Sequence, residues 1–569
     1  MRLRSFCSVN ILIAVMALGI AASAWSDNAA DKSTKSSPSR NEAAAERIFQ
    51  QEARLVDSMH NYTPLVETYL QRMKPDPDLD AVPDKDRYFL GRFAFGEKNK
   101  KLTNTAFKDQ NRARLFTRVL DRLDSFYRIN YGHVSFMQMI FLNQQFDKDH
   151  YELRYLRQQF LGEVRTLVFD VVPHVKGHDQ RFMGRIWVED RGYNIVRFNG
   201  TYAPNTTYKY NLHFDSWRMN LQPDVWLPAY VYTEESDAAP VDPRKLAMKG
   251  QTRLWGYDLK HSGVESEFTN IQVDSAEVND ISTRGANEAL PVQSEHMWER
   301  EAEDNVLDRM ERAGILAPAG EVSKVLQTVV NNLEITNNLN IDPEVRCRVL
   351  LTTPLEIFTV GNTIVVSRGL LDVLPDEASL AMVLAGELGH IALGHRMKTK
   401  YAFSDRMLFP DEKVFNQIDM VHNERDDQDA DLKGLDLLQN SPYKEKLASA
   451  GLFLFMLGNR SPELTWLVSP HFGTRLAKGN TIRAAAIAQA PKIDVKNVAQ
   501  IPALPLGSRV KLDPWDDHVE MLKSKPVALR SARDKMSLEV TPVFPNLVVL
   551  GQSPIQQKAA PEVAAKPAQ

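Results

Sequence analysis

Cysteine is almost absent from this sequence, which contains only Cys7 and Cys347. Cys7 falls in the N-terminal leader described below, so one thiol remains. A single thiol forms no intrachain disulfide, and it excludes a zinc site built from cysteines. A strong charge bias is also missing, because the formal net charge is −4 and no long basic run occurs. The composition therefore gives no indication of binding to nucleic acid or to an anionic membrane surface.

Long hydrophobic runs are missing after the leader as well. No segment there reaches about 18 uninterrupted apolar residues, so no transmembrane segment is expected in the mature chain. The leader, residues 1–24, has a basic start, an apolar run from Val9 to Ile20, and then Ala22-Ser23-Ala24. This order of features is typical of a secretory signal peptide that is cleaved before Trp25. We therefore expect an exported protein, with the periplasm as its compartment.

The composition changes along the chain in a way that indicates separate domains, and no internal repeat is present. Hydrophobic residues make up 43% of the chain, which is sufficient for large cores. Near the start, apolar residues fit helices with an interruption at Pro64; they are Ile48, Leu55, Met59, Leu65 and Leu70. The predicted divisions are a disordered linker at 25–41, a helical segment at 42–89, a β-rich domain at 90–275, a charged linker at 276–303, a mostly helical domain at 305–480, a C-terminal extension at 481–555 and a disordered tail at 556–569.

The β-rich domain consists of short aromatic and β-branched runs separated by turn residues. They are EVRTLVFDVVPH, FMGRIWVEDRGYNIVRFNGTY, YKYNLHFDSWRM and DVWLPAYVYTEE. Arg191-Gly192 lies between two runs, as a hairpin turn does, so we predict a curved antiparallel sheet. The GRIWVED and YNIVRF segments resemble the strands of LolA-like lipoprotein carriers. An unrelated antiparallel sheet that docks proteins or presents substrates fits the same pattern.

The segment richest in chemistry is DEASLAMVLAGELGHIALGHRMKTKYAF, residues 376–403. Asp376 or Ser379 is suited to cap a helix whose apolar residues continue to Leu393. So dense an apolar pattern predicts a helix that is buried nearly all round. Three side chains suited to catalysis or metal binding lie in this segment: Glu387, His390 and His395.

Part of this segment, GELGH, approaches the H-E-x-x-H pattern. In that pattern two histidines, four residues apart, bind zinc from one face of a helix, and the glutamate is the general base. Glu387 and His390 match, whereas Gly386 stands at the position of the first histidine. Glycine has no side chain, so one metal ligand is missing. His395 is five residues beyond His390 and in an ideal helix points about 140° away from it, which indicates a supporting role.

Three segments together resemble the CAAX-prenyl-protease and HtpX-type zinc metallopeptidases, most of all their soluble periplasmic BepA-type branch. They are IVVSRGLLDVL, LAMVLAGELGHIALGHR and DDQDADLKGLDLL. The resemblance covers residues 305–480 and implies a mainly helical, zincin-like metallopeptidase domain with an edge strand. We therefore expect an α+β fold in which a curved antiparallel sheet precedes this domain.

The resemblance also implies roles for individual residues. One zinc ion is expected, with His390 and Asp427 as ligands and Glu387 as the base. Asp431 follows Asp427 by four residues and would orient the zinc-binding helix. The segment TTPLEIFTVGNTIVVSRGLL would line the peptide cleft. Near the oxyanion the family carries a further histidine or arginine, which corresponds here to His471 and Arg475.

Alternatives remain for several of these residues. Glu424 or His422 is close enough in the sequence to Asp427 to approach the metal. Without a metal, a hydrogen-bonded cluster would serve instead, because an unpaired buried polar group costs about 1–3 kcal/mol. Its members would be Glu387, His390, Asp427 and Asp431. His471 and Arg475 also fit a surface loop or a salt bridge.

Two functions follow from this sequence, and a third is weaker. The first is an exported zinc metalloendopeptidase, in which Glu387 takes the proton of a metal-activated water. The second is a catalytically inactive pseudopeptidase that binds envelope proteins or lipoproteins. The third is binding of lipid or lipoprotein by the β-rich domain. Protein or peptide is the expected partner, and the oligomeric state stays open.

Overall fold

The structure is a computed structural model. It describes residues 40–76, 80–93, 95, 136–142, 145–174, 181–203, 210–237, 248–257, 303–374, 376–395, 422–468, 510–512, 519–521 and 538–550. The predicted signal peptide, most of the polar linker after it, the charged linker at 276–302 and the tail at 556–569 lie outside these residues.

A nine-stranded antiparallel sheet dominates the first half of the chain. Its strands are β1 Leu65–Asp76, β2 Asp80–Arg92, β3 Tyr151–Leu161, β4 Val164–Pro173, β5 Arg181–Glu189, β6 Ile195–Ala203, β7 Tyr210–Gln222, β8 Val225–Asp237 and β9 Met248–Trp255. The spatial order is β2-β1-β9-β8-β7-β6-β5-β4-β3, so β3 to β9 form a meander to which the β1–β2 hairpin is added. The predicted hairpin turn at Arg191-Gly192 is confirmed, because residues 190–194 connect the antiparallel strands β5 and β6 and contain a turn at 190–192.

Two paired glycines allow neighbouring strands to approach closely in the middle of the sheet. Gly184 in β5 lies opposite Gly200 in β6. A Cβ on Gly184 would lie 2.0 Å from the carbonyl oxygen of Asn199, and Gly200 has a φ of +156°. Such a pair marks a sharp local bend in a strand.

One face of the sheet is covered by α1 (Arg40–Ser58) and the short α2 (Phe136–Ile140). The buried positions of α1 are spaced as one helical face; they are Ala44, Ile48, Phe49 and Glu52. Glu52 and Arg218 of β7 form a doubly hydrogen-bonded ion pair with both N–O distances at 2.7 Å, and neither side chain is more than 2% exposed. The helix is therefore fixed against the sheet by a buried ion pair as well as by apolar contacts.

The helical prediction for residues 42–89 is wrong after the 3₁₀ turn Met59–Asn61, because β1 and β2 follow. β1 lies between β2 and β9, and all its residues from Leu65 to Gln71 are buried. Since both faces of β1 are covered, the apolar–polar alternation that identifies a half-exposed strand is missing. Without that alternation, the spacing of the apolar residues fitted a helix as well as it fitted a strand.

The second half of the chain is mainly helical and contains a small sheet. Its helices are a segment at 303–312, α3 Glu321–Thr336, α4 Arg368–Val373, α5 Glu377–Ala392, α6 Glu424–Gln439, a 3₁₀ turn Lys444–Lys446 and α7 Leu447–Arg460. Three strands, β10 Arg346–Leu350, β11 Ile357–Val360 and β12 Thr363–Ser367, pair in the order β10-β12-β11. The expected α+β fold is confirmed. No helix within the described part of the chain is long and apolar enough to cross a membrane.

The region predicted as a C-terminal extension returns to the nine-stranded sheet. A short ladder pairs β13 (Val510–Leu512) with β14 (Val519–Met521). Residues 538–550 then cross the sheet on the face opposite α1. The side-chain amide of Gln71 donates to Leu538 O and accepts from Val540 N, both at 2.7 Å. At the far end of this segment, Glu163 N donates to Leu547 O at 2.9 Å.

Candidate metal and peptidase site

Helix α5 carries the two residues that match the metallopeptidase pattern. Asp376 caps its first turn and accepts a hydrogen bond from Ser379 N at 2.8 Å, so Asp376 and not Ser379 is the cap. Every residue from Ala381 to His390 is buried, which confirms the prediction of a helix buried nearly all round. Glu387 is 1% exposed and His390 is 0% exposed. Both polar side chains therefore lie inside the protein.

Helix α6 packs against α5 so closely that the two backbones are in contact. A Cβ on Gly389 would lie 2.3 Å from Ala430 O, and one on Gly434 would lie 2.8 Å from Ala385 O. Asn423 starts α6 and accepts from Asp426 N at 2.9 Å. These glycines allow the first turns of α6 to bring their acidic side chains to the buried part of α5.

The structure brings His390 and Asp427 together. His390 Nε2 lies 3.3 Å from Asp427 Oδ1. Asp431, one turn further along α6, is 3% exposed on the same helical face. Glu424 is exposed at the start of α6, so it does not belong to this buried group. Of the two alternative metal ligands suggested by the sequence, only His422 is buried.

The imidazole of His422 stacks on that of His390. Their ring centres are 3.9 Å apart and the planes differ by 19°. His422 Nε2 also lies 3.2 Å from the hydroxyl oxygen of Thr359 in β11. This stacking was not predicted, because His422 lies outside both motifs and its approach depends on how the chain enters α6.

His395 contacts His390 rather than pointing away from it. The two Nδ1 atoms are 3.2 Å apart. The helical projection was wrong because α5 ends at Ala392 and the chain turns at Gly394, which has a φ of +70°. His395 N then donates to His390 O at 2.9 Å, which brings its ring back to the end of the helix. Two further imidazoles, those of His395 and His422, thus contact the ring of His390.

Strand β11 forms the edge of the small sheet beside this cluster. Glu356 O accepts from Ser367 N on the β12 side, whereas Leu355 N donates outward to Leu467 O at 2.6 Å. Because amides alternate in direction along an antiparallel strand, those of Ile357 and Thr359 also face outward. Within the described part of the chain, no hydrogen bond to either amide is found. All four residues of β11 are buried.

The residues present fit a zinc site only in part. Two ligands of one tetrahedral zinc ion, each about 2.1 Å from it, are about 3.4 Å apart. The 3.3 Å between His390 Nε2 and Asp427 Oδ1 fits this spacing. Among the described residues, however, no group of three or more His, Cys, Asp or Glu side chains is arranged to hold a metal ion. His471 and Arg475 lie outside those residues.

Comparison with known proteins gives the family of this region. Residues 326–416 match the family model described as Peptidase family M48. This segment is an M48 metallopeptidase segment. The match begins within α3 and includes α5 with Glu387 and His390, but it stops before α6 and therefore before Asp427. Peptidases of this family depend on zinc in general and act on proteins or peptides, which agrees with the resemblance noted in the sequence.

No curated protein matches the chain. Among solved structures, the chain is similar to the crystal structure of a DUF1329 family protein from Desulfovibrio piger ATCC 29098, at 12% identity over 38% of this chain and 92% of that chain. The TM-score is 0.20, and nothing is inferred from this likeness. The resemblance of the β-rich domain to LolA-like carriers stays a prediction.

Proposed function

We propose that this chain is an exported pseudopeptidase, in which an M48 domain binds protein segments and has lost the catalytic zinc. The observation that carries the proposal is Gly386. The residue occupies the first ligand position, one helical turn before His390, and supplies no side chain there. A catalytic zinc site uses three protein ligands and a water. His390 and Asp427 supply two of the three.

The packing of the cluster supports this proposal. Both ring nitrogens of His390 already face polar atoms, since Nδ1 is near His395 and Nε2 is near Asp427. The ring of His422 covers one face of the same imidazole. The contact between α5 and α6 does not depend on an ion, because the two backbones touch at Gly389 and Gly434. The pair of helices can thus keep its fold after the loss of the metal.

Edge strand β11 supports a retained ability to bind peptides. The outward amides of Ile357 and Thr359 lie next to the cluster through the contact between Thr359 and His422. An extended segment that adds to a sheet edge is held by main-chain hydrogen bonds, so its binding needs no zinc. Proteins of the cell envelope are the class of partner, given the predicted export.

The proposal is tested by measuring zinc in the purified mature chain, residues 25–569, by mass spectrometry. The native chain and a Gly386→Ala control should hold far less than one zinc per chain, and Gly386→His should hold about one. The added histidine restores the third ligand, whereas alanine changes the helix without supplying one. Thermal unfolding of all three proteins checks that each is folded.

A second candidate is an active zinc endopeptidase, and the position of His422 favours it. Its stacked imidazole brings a third nitrogen ligand close to His390 and Asp427 without belonging to the motif. Should the native chain hold one tightly bound zinc and cleave casein in a chelator-sensitive manner, the pseudopeptidase proposal is wrong. Loss of that zinc in His422→Ala, but not in His395→Ala, would then identify His422 as the replacement ligand.

A further inference from the structure

Three arginines from two separate elements line one pocket at the edge of the N-terminal domain. Helix α1 contributes Arg47 and Arg54, and the β5–β6 hairpin contributes Arg191. Arg47 and Arg54 are seven residues apart, which is two helical turns, so they share one face of α1. The volume is about 290 Å³, close to the lower end of the range of about 300–1,000 Å³ for small-molecule sites.

The composition of the pocket favours an anion. Its other lining residues are Gln50, Gln51, Gly192 and Tyr193, and no acidic residue is among them. All three arginines are exposed. Within the described part of the chain, none of the three forms an ion pair. Guanidinium groups that share a pocket repel one another. A bound anion is attracted by all of them and offsets this repulsion.

The hairpin turn that carries Arg191 is held in a single shape. The carboxylate of Glu189 accepts hydrogen bonds from the backbone amides of Arg191, Gly192 and Asn194 at 2.8–2.9 Å. A Cβ on Gly192 would lie 2.7 Å from Glu189 Oε1, so a larger residue here would displace that carboxylate from the turn. The oxygens of this buried carboxylate are thus directed at the turn.

The turn is also attached to α1, which fixes the two walls of the pocket relative to each other. Gln51 Nε2 donates to Gly192 O at 2.9 Å. The guanidinium carbon of Arg47 lies 5.3 Å from the ring centre of Tyr193, within the range of a cation–π contact. Tyr193 itself has a φ of +63°. A pocket assembled in advance loses less free energy when a ligand binds.

We propose that this pocket binds a phosphate group. A phosphate monoester carries about −1.5 to −2 charges and three acceptor oxygens, and the arginine fork matches the spacing of phosphate oxygens. Three guanidinium groups exceed what a single carboxylate needs. The group belongs either to a soluble phosphate compound or to the headgroup of an anionic lipid. The net charge of −4 is a sum over the whole chain, so it does not reveal this local cluster of arginines. The proposal is independent of the zinc site.

The proposal is tested by titrating inorganic phosphate into the mature chain in a calorimeter. Arg54→Gln and Arg191→Gln should each weaken binding about tenfold, the usual effect of removing a hydrogen bond to a charged group. Arg157→Gln is the matched control, because Arg157 is exposed on β3 and hydrogen-bonds only to Gln159 among the described residues. Thermal unfolding verifies that the variants fold.

Vesicles distinguish the two sources of phosphate. Phosphatidylcholine vesicles with and without phosphatidic acid are floated with the native chain and each variant. Binding to phosphatidic acid that is lost in Arg54→Gln and Arg191→Gln indicates a lipid headgroup, and binding of free phosphate alone indicates a soluble ligand. The proposal is overturned if neither probe binds, or if Arg157→Gln weakens binding as much as the pocket variants do.

Discussion

Individual residues of the candidate site were predicted unequally well. Glu387 and His390 were expected on one buried helix, and both lie there. A helix that is apolar on every side has to be covered on every side, so its few polar residues are buried with it. The contact of His395 with His390 was missed, and His422 was expected near the metal only as an alternative ligand, without its stacking on His390. Both depend on loops at the ends of helices, where the periodicity of the sequence no longer indicates direction.

Cys347 provides a prediction at this scale. It lies buried in β10, and burial raises the pKa of its thiol from 9.0 to about 12. At pH 8 only about one thiol in ten thousand is therefore ionised in the folded chain. Ellman's reagent should react very slowly with the native mature protein and stoichiometrically after unfolding in guanidinium chloride.

The same shift makes stability depend on pH. Between pH 9 and 12 the unfolded chain releases the thiol proton and the folded chain keeps it, so this contribution to stability falls as pH rises through that window. Cys347→Ala is the control, because it removes the titrating group. Rapid labelling of the native protein at pH 8 would show that the thiol is accessible and contradict the prediction.

At the scale of helices and strands, backbone contact decides how the site is assembled. Gly389 and Gly434 allow α5 and α6 to touch, and this contact places Asp427 beside His390. Such packing of small residues is invisible in a hydrophobic pattern, which reports only which face is buried. β11 is likewise an edge strand because β12 is its only neighbour in the three-stranded sheet, and the residues of β11 themselves do not indicate this.

The edge strand gives the prediction at this scale. Thr359→Pro removes the amide that points away from β12 without cutting a hydrogen bond to β12. Because Thr359 is 2% exposed, thermal unfolding checks that the variant folds. Affinity for fluorescently labelled, unfolded casein should fall about fivefold, which corresponds to one hydrogen bond of about 1 kcal/mol. Fluorescence anisotropy measures the affinity.

Thr359→Val is the matched control for this experiment. It keeps the amide and removes only the hydroxyl that contacts His422, so it should bind casein as the native chain does. Equal affinity of the native and proline variants would mean that peptides do not add to β11.

At the scale of the whole molecule, buried polar residues join the nine-stranded sheet to the helical region. Glu67 of β1 is 1% exposed and accepts from Tyr88 Oη at 2.8 Å and from Thr353 N at 2.6 Å. It also pairs with Arg253 of β9, whose guanidinium donates to Leu351 O at 2.6 Å. Asp86 of β2 similarly accepts from Leu467 N at 2.7 Å. One carboxylate on each strand thus binds the backbone of the M48 region or the segment after it.

Breaking this junction should destabilise the protein strongly. Glu67→Ala leaves Arg253 buried without its partner, and such a loss typically costs about 3–5 kcal/mol. Asp84→Ala is the control on the same hairpin, because its pair with Arg72 is less buried, with side chains 20% and 52% exposed, and contributes about 0–1 kcal/mol. Urea unfolding of both variants measures the difference. A cost near 1 kcal/mol for Glu67→Ala would mean that the junction contributes little.

The local features of this protein follow from the sequence alone. These are the β-rich run and its hairpin at Arg191-Gly192, a helix cap at Asp376 or Ser379, the buried helix with Glu387 and His390, and the absence of a side chain at Gly386. Each depends on neighbours within a few residues, where backbone geometry links the side chains directly.

Only the tertiary structure decided the remaining features. β1 became an interior strand of the sheet because β9, which lies far along the chain, pairs with the side of β1 that β2 leaves open. His422 came to lie on His390 because α6 packs on α5, and the three arginines share a pocket because α1 lies against the hairpin. These contacts join residues that are distant in sequence, so no local pattern records them. They also determine whether the site can hold a metal and where an anion can bind.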